Sequence, residues 1–469
     1  MSRRLGRRVT LGNVPPEEWD AITLPATDAV WLMGVWERSP TGLRIAREHP
    51  GLCEEYFRAL PGWMPDDVVG SPYCVRRYTV EPRLGGAAGL AAAREALARR
   101  GLRLVLDFMP NHVARDHPWV TESPEYFIHG NLGDLERAPS EFFASGGRVF
   151  ACARDPHFPP WTDVAQLNAF HPWLRRALVD TLSSIAEQCD GVRCDMAMLV
   201  MNDVFERTWG PRAGERPAEE FWPEVLPAVR AKRPGFLFIA EAYWDLEWDL
   251  QEQGFDFCYD KRLYDRLLHG SADGIELHLR AELRYQRKLL RFIENHDEPR
   301  AAASFSARKL RAAAVTFATL PGAKLIHEGQ LEGRKIRLPI QLGRRPPEAV
   351  DLDLRTFYRK LLGTLRPGGS RDGEWSLCER SGWPDNSSHS NLLAWCWRRE
   401  KERLLIVVNF SDAKSQGRIR LPWEDLRGRS WRLTDDLGGV TYERSGGEML
   451  GPGLYVDLEG WGFHSLRFR

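Results

Sequence analysis

From residue 28 onward the chain repeats one beat: a short apolar, β-rich run, then a segment whose apolar residues recur at helical spacing. DAVWLMGVW (28–36), YCVRRYTV (73–80) and LRLVLDF (102–108) read as three strands, with a helix in GLAAAREALARR (89–100). LRLVLDF is nearly continuous in apolar residues, as a strand buried on both faces is. The beat resumes with a helix in HPWLRRALVDTLSSIAEQ, the strand CDGVRCDMA, a helix in EEFWPEVLPAVRAKR and the strand GFLFIAEAYW. Three further runs follow: FDFCYD, LLRFIENHD and AKLIHEGQ. Strand–helix alternation of this kind builds a parallel α/β sheet. Eight such units predict a (β/α)8 TIM barrel, which needs about 250 residues without additions.

Two stretches depart from the beat. Residues 113–165 are rich in Pro, Gly, His and aromatic residues, and a long irregular insertion in a regular fold tends to be functional. After DLRTFYRKLLGTLRP the Gly-rich PGGSRDGE marks a boundary, and short alternating segments such as NLLAWCWRR and RLLIVVNFS replace the helices. The expected organisation is a first barrel part over 1–112, an excursion domain over 113–165, a second barrel part over 166–366 and a C-terminal β-sandwich over 367–469. That last domain reads either as a carbohydrate-binding module or as a cap over apolar barrel surface.

Lys+Arg and Asp+Glu number 65 each, so no global field selects nucleic acid, anionic lipid or an acidic substrate. A neutral ligand fits better. The basic start, MSRRLGRRVTLGNVPPEEWD, is not followed by an apolar signal core, and no stretch approaches the ~20 apolar residues of a membrane-spanning helix. The expected location is the cytoplasm. Eight scattered cysteines without a CxxC pair argue against a zinc site and a disulfide framework. HEGQ lacks the second histidine of a zinc-protease motif, since position 331 is Leu331, and no nucleotide-binding glycine motif is present. Oligomeric state has no signature in the sequence.

Strand C-terminal ends form the active face of such a barrel, and four strands end in acids and histidines. DFMPNH supplies Asp107, Asn111 and His112; GVRCD supplies Arg193 and Asp195; IAEAYW supplies Glu241; IENHD supplies His296 and Asp297. Residues two apart on a strand share a face, so Arg193 stands beside Asp195 and keeps it ionised, as a nucleophile must be. A carboxyl facing that charge is discouraged from ionising and can hold a proton, which is the part given to Glu241. Two carboxyls ~5 Å apart make a retaining glycosidase. Taken singly, an Arg–Asp pair on a strand is an ordinary salt bridge; the conjunction of the three acids carries the reading. His117, His157 and His171 read as ordinary loop or core residues, whereas Trp119, Trp161 and Trp244 sit where sugar platforms could lie.

The four strand-end motifs, in this order, resemble the signature regions of the alpha-amylase superfamily, and the resemblance covers essentially the whole chain. It implies Asp195 as nucleophile, Glu241 as acid/base and Asp297 as a third acid that grips sugar hydroxyls. It further implies that His112 and His296 bind the sugar being cleaved, that Arg193 orients Asp195, and that Asp107 and Asn111 brace the site. Tyr73 matches the aromatic residue on which that sugar stacks, and DVAQLN (163–168) resembles a further motif of the family. Three positions depart from the pattern. Met198 and Leu199 stand where many members carry Lys and His, which implies a less polar acceptor side, and Arg77 replaces an acid. Of the usual calcium ligands Asn111 alone is recognisable, so no cofactor and no obligatory metal is expected. The expected activity is retaining hydrolysis of α-linked glucosides. A transglycosylase using the same acids is the alternative, and a catalytically silent carbohydrate-binding or scaffold protein is the alternative from another class.

Overall fold

The structure, a computed structural model, describes residues 1–365 and 373–469. It divides into two compact units, the first Met1–Thr23, Thr27–Tyr259 and Leu338–Pro347, the second Leu24–Ala26, Asp260–Arg337 and Glu348–Arg469.

In the first unit the strands Ala29–Trp31, Arg103–Phe108, Gly191–Cys194, Leu237–Ala240 and Phe257–Tyr259 pair in parallel, in that order. Their apolar character follows from burial: Leu104, Leu106, Val192 and Phe238 are inaccessible. Gly191 opens its strand where a Cβ would come within 2.7 Å of the Leu237 carbonyl oxygen, so the close strand approach requires the missing side chain. The helix Pro172–Gln188 starts on a proline, which suits a first helical position, and buries Leu174, Leu178, Leu182 and Ile185 at three- and four-residue spacing. It packs against the helix Phe221–Lys232.

One expected barrel strand is placed otherwise. Residues 73–80 contain the strand Val75–Val80, which pairs antiparallel with Trp36–Arg38 in a bulged two-stranded sheet. The physical reason is legible in Arg77 and Thr79, two apart and both exposed: this strand is solvated on one face, as antiparallel ribbons can be, whereas a parallel barrel strand is covered on both. The run 28–36 likewise ends its parallel pairing at Trp31, and Trp36 belongs to the ribbon. Residues 112–166 form a small antiparallel sheet from His112–Ala114, Trp161–Gln166, Arg148–Ala153 and His129–Gly130, with Phe142–Ser145 paired to Arg148–Ala153.

In the second unit Leu289–Arg291 and Ala323–Lys324 pair in parallel, and the helices Ala307–Thr319 and Leu352–Gly363 follow. Six antiparallel strands form one sheet and three form another. The expected boundary between 366 and 367, where PGGSRDGE begins, lies outside the described residues. Strands Leu392–Arg399 and Glu402–Asn409 are buried on both faces. Leu392, Ala394, Cys396, Leu405 and Val407 meet the core between the sheets. Leu393, Trp395, Trp397, Ile406 and Val408 pack with Leu310, Ala314 and Phe317 of the helix Ala307–Thr319. The Trp397 indole N–H donates to the Thr319 carbonyl at 2.9 Å. Covering apolar helix surface is therefore one task of this domain. All eight cysteines are free thiols, seven of them buried, and no helix among the described residues is long and apolar enough to cross a membrane.

Trp222 tests how the first unit is held together. It is fully buried among Phe221 and Phe255, and its indole N–H donates to the Ala197 carbonyl at 2.8 Å. Trp222→Phe is expected to cost about 1–3 kcal/mol in urea denaturation, because it orphans a buried carbonyl, and Trp222→Ala about 3–5 kcal/mol.

Candidate active site

The site grows out of strand register. Arg193 stands directly beside Asp107 on adjacent parallel strands. The ladder then runs one residue past each strand end: the Asp195 N–H donates to the Phe108 carbonyl at 2.8 Å and the Glu241 N–H to the Cys194 carbonyl at 3.1 Å. Both carboxyls thereby leave neighbouring strands at their C-terminal ends. Since Arg193 and Asp195 are two apart on one strand, they emerge on one face.

Arg193 joins the carboxyls. Its Nη1 donates to Asp195 Oδ1 at 2.6 Å and lies 3.6 Å from Asp107 Oδ1, while its Nη2 is 2.7 Å from Glu241 Oε2. One guanidinium in contact with both carboxyls keeps them closer than the ~10 Å that would exceed any glycosidase spacing. The guanidinium is 1% exposed and lies 5.2–5.7 Å from the ring centres of Tyr73, Trp31 and Tyr259. Burial opposes its charge, but Glu241 first, then Tyr73, Tyr259 and Asp195, hold it well above its ordinary range.

Glu241 is gripped by two further donors that sequence reading did not identify. The Met196 N–H donates to Oε2 at 2.7 Å and the Tyr243 hydroxyl to Oε1 at 2.9 Å. Met196 achieves this in the left-handed region (φ 42°), unusual for a residue with a side chain, directly after Asp195. Trp244 (φ 62°) and Asp245 (φ 67°) adopt the same region soon after Glu241. Such outliers cluster where a site demands a fixed geometry. Tyr243 could have been found, since it follows Glu241 by the same two-residue step that relates Arg193 to Asp195. The role of Met196 belongs to its backbone and has no sequence signal.

His112 is buried where the excursion sheet begins, in register with Gln166, with its ring 5.3 Å from that of Trp161. Asn111 Oδ1 accepts from Gln166 Nε2 at 2.9 Å, which ties the first motif to DVAQLN. Among the described residues no group of three or more His, Cys, Asp or Glu is arranged to hold a metal. Tyr73 donates its hydroxyl to the Met33 sulfur at 3.1 Å. His296 and Asp297 stand together in the second unit beyond the strand Leu289–Arg291, with His296 Nε2 2.9 Å from Asp297 Oδ2. Asn295 Oδ1 accepts from the N–H groups of Asp297 and Glu298, both at 2.9 Å, and so shapes that turn.

Met198 and Leu199 are 0% and 2% exposed within the apolar core, so they cannot make an acceptor side less polar by lining it. Arg77 is exposed on the ribbon, in register with Glu37. His117, His157 and His171 all lie against aromatic rings, Trp119, Trp244 and Tyr126 respectively. Trp119, Trp161 and Trp244 are half-buried.

Burial pushes the His112 imidazole down to about 4 against the opposing pull of Asp163 and the Tyr73 backbone, and burial with Arg77 pushes His117 down to about 4. Both rings are neutral at pH 7. An unfolded histidine takes up its proton near 6.5, so between these values the unfolded chain binds more protons and stability falls as pH falls from about 6.5 to about 4. The imidazole NMR signals of both residues are expected to stay at neutral-ring positions down to about pH 5, while the urea midpoint declines.

No family model matches the chain. It is 25% identical over 344 residues to alpha-amylase MalA of Haloarcula japonica, covering 71% of this chain and 46% of the relative. It is 21% identical to alpha-amylase 3 of Dictyoglomus thermophilum, covering 60% of this chain and 57% of the relative. The chain thus spans about half the length of the curated relatives it matches. The crystal structure of the maltogenic alpha-amylase AmyB from Thermotoga neapolitana superposes with a TM-score of 0.70 at 19% identity, over 97% of this chain and 93% of that one. That likeness shows the fold, the amylase-type TIM barrel with an all-β C-terminal domain. In fold, in sequence likeness and in the order of its four motifs, the chain is similar to enzymes of the alpha-amylase superfamily.

Proposed function

We propose that the chain is a retaining glycoside hydrolase acting on α-linked glucosides of the α-glucan or maltooligosaccharide kind. The observation that carries this reading is the single buried guanidinium in contact with both Asp195 and Glu241. One cation faces three carboxyls there, counting Asp107, so a proton on one of them relieves repulsion. Motif order assigns that proton to Glu241.

In the first step the Asp195 carboxylate attacks the anomeric carbon as the glycosidic C–O bond breaks, and Glu241 gives its proton to the departing oxygen. The covalent glycosyl-enzyme is then opened by water, whose proton Glu241 takes back, and two inversions return the α-anomer. Tyr243 and the Met196 N–H keep Glu241 aimed through both proton transfers. By motif order Asp297 and His296 are assigned to sugar hydroxyls, and His112, neutral at pH 7, and Tyr73 to the sugar at Asp195 and Glu241. The likeness to the alpha-amylases MalA and alpha-amylase 3 supports the substrate class, and the overall charge balance suits a neutral one. Free buried cysteines support a reducing, cytoplasmic setting.

Proton NMR of maltoheptaose digestion is expected to show α-anomeric products first, and β-anomeric products would contradict the reading. Longer oligosaccharides would assign transfer rather than hydrolysis. Asp195→Gly and Glu241→Ala are each expected to lower kcat by about a thousandfold. With azide and an activated α-glucoside, Asp195→Gly should yield the β-glycosyl azide and Glu241→Ala the α-glycosyl azide.

A further inference from the structure

The first unit holds a cavity of about 230 Å³ that shares no lining residue with the carboxylate site. Four stretches of chain enclose it: the short helix Leu132–Arg137, the start of the strand Phe142–Ser145, the end of the strand Arg148–Ala153, and the turn that closes the helix Asn202–Trp209. Three guanidinium groups, Arg137, Arg154 and Arg212, line it against two carboxylates, Asp134 and Glu141.

Hydrogen-bond accounting shows what the cavity lacks. Asp134 is saturated: Oδ1 accepts from Arg137 at 2.8 Å, and Oδ2 accepts from Arg212 at 2.9 Å and the Asn131 N–H at 3.0 Å. The Arg212 bond and the Asn131 N–H hold its carboxyl down to about 2. Glu141 accepts from Arg154 at 3.1 Å. Each arginine uses its terminal nitrogens for these bonds, and among the described residues none of the three donates from Nε. Arg154 lies 5.0 Å from the Trp209 ring centre and Arg212 lies 5.2 Å from that of Phe142. Stacking and ion pairing fix the heads of Arg154 and Arg212 before any ligand arrives, which lowers the entropy cost of using their remaining donors. The cavity therefore offers charged N–H donors from three directions and few unused acceptors.

We propose that this cavity is a binding site for a phosphate monoester or inorganic phosphate. A tetrahedral dianion presents several acceptor oxygens in different directions, which suits guanidinium groups on three separate elements better than a planar carboxylate does. A neutral sugar would leave the donor excess and the surplus positive charge unanswered. The proposal is independent of the glycosidase reading, because none of its residues takes part in that chemistry.

Isothermal titration calorimetry of the full chain with inorganic phosphate, and separately with glucose 1-phosphate and glucose, tests it. Saturable one-site binding of a phosphate probe is expected, with no binding of glucose at this site. Tighter binding of glucose 1-phosphate would assign a sugar ester, and equal binding would assign the phosphate group alone; both support the site. Arg154→Gln and Arg137→Gln should each weaken binding by about tenfold or more, the loss of one charge-assisted bond. Arg137 is 72% exposed, so its replacement leaves the fold intact and its melting temperature should match the wild type. Asp195→Asn should bind phosphate as the wild type does. No saturable binding at millimolar phosphate would overturn the proposal. So would binding that survives in both arginine variants or disappears in Asp195→Asn.

Discussion

Arg193 is a charge in a place that charges do not occupy without partners. A guanidinium that is 1% exposed loses nearly all its hydration, and the loss is tolerable only if its donors meet carboxylates and its faces meet rings. Here Asp195, Glu241 and the more distant Asp107 supply the first, and Trp31, Tyr73 and Tyr259 the second. The dependence runs both ways. Two carboxyls this close would repel without the cation, and the cation would be prohibitively costly without them. Strand register sets the arrangement, since it puts Arg193 beside Asp107 and lets Asp195 and Glu241 leave adjacent strand ends. Gly191, at the start of the same strand, permits the close approach to Leu237 on which that register rests.

Around this cation the backbone accepts strain where the chemistry needs a fixed direction. Glu241 has both oxygens held, one by the Tyr243 hydroxyl and one by the N–H of left-handed Met196. Behind them Trp222 holds the Ala197 carbonyl, so the turn after Asp195 is tied to the helix Phe221–Lys232. On the proposed reading Glu241 gives a proton and takes it back, and such fixing serves both transfers, because misplacement costs rate at each.

Much of this was legible in the sequence. The acids at strand ends announce themselves because apolar runs rarely end in charge without cause, and the helix Pro172–Gln188 is marked by its proline start and its leucine spacing. The run 73–80 misled because period-two patterning does not distinguish a solvated ribbon from a barrel strand; the polar pair Arg77 and Thr79 on one face was the sign. Met198 and Leu199 look like altered specificity when compared position by position, yet both side chains turn into the core. Met196 could not be seen at all, because a backbone N–H carries no residue signature. The arginine-lined cavity draws on residues as far apart as Arg137 and Arg212, and proximity of that kind is decided by packing rather than by any local pattern.

Whether Asp195 forms a bond to sugar is the question on which the catalytic reading turns. The most direct measurement is peptide mass spectrometry of the Glu241→Gln variant after incubation with an α-glucosyl fluoride, whose leaving group needs no acid. The expected result is a hexose adduct on the peptide containing Asp195, absent from the double variant Asp195→Asn with Glu241→Gln. Turnover without any adduct, or an adduct on a different carboxylate, would contradict it.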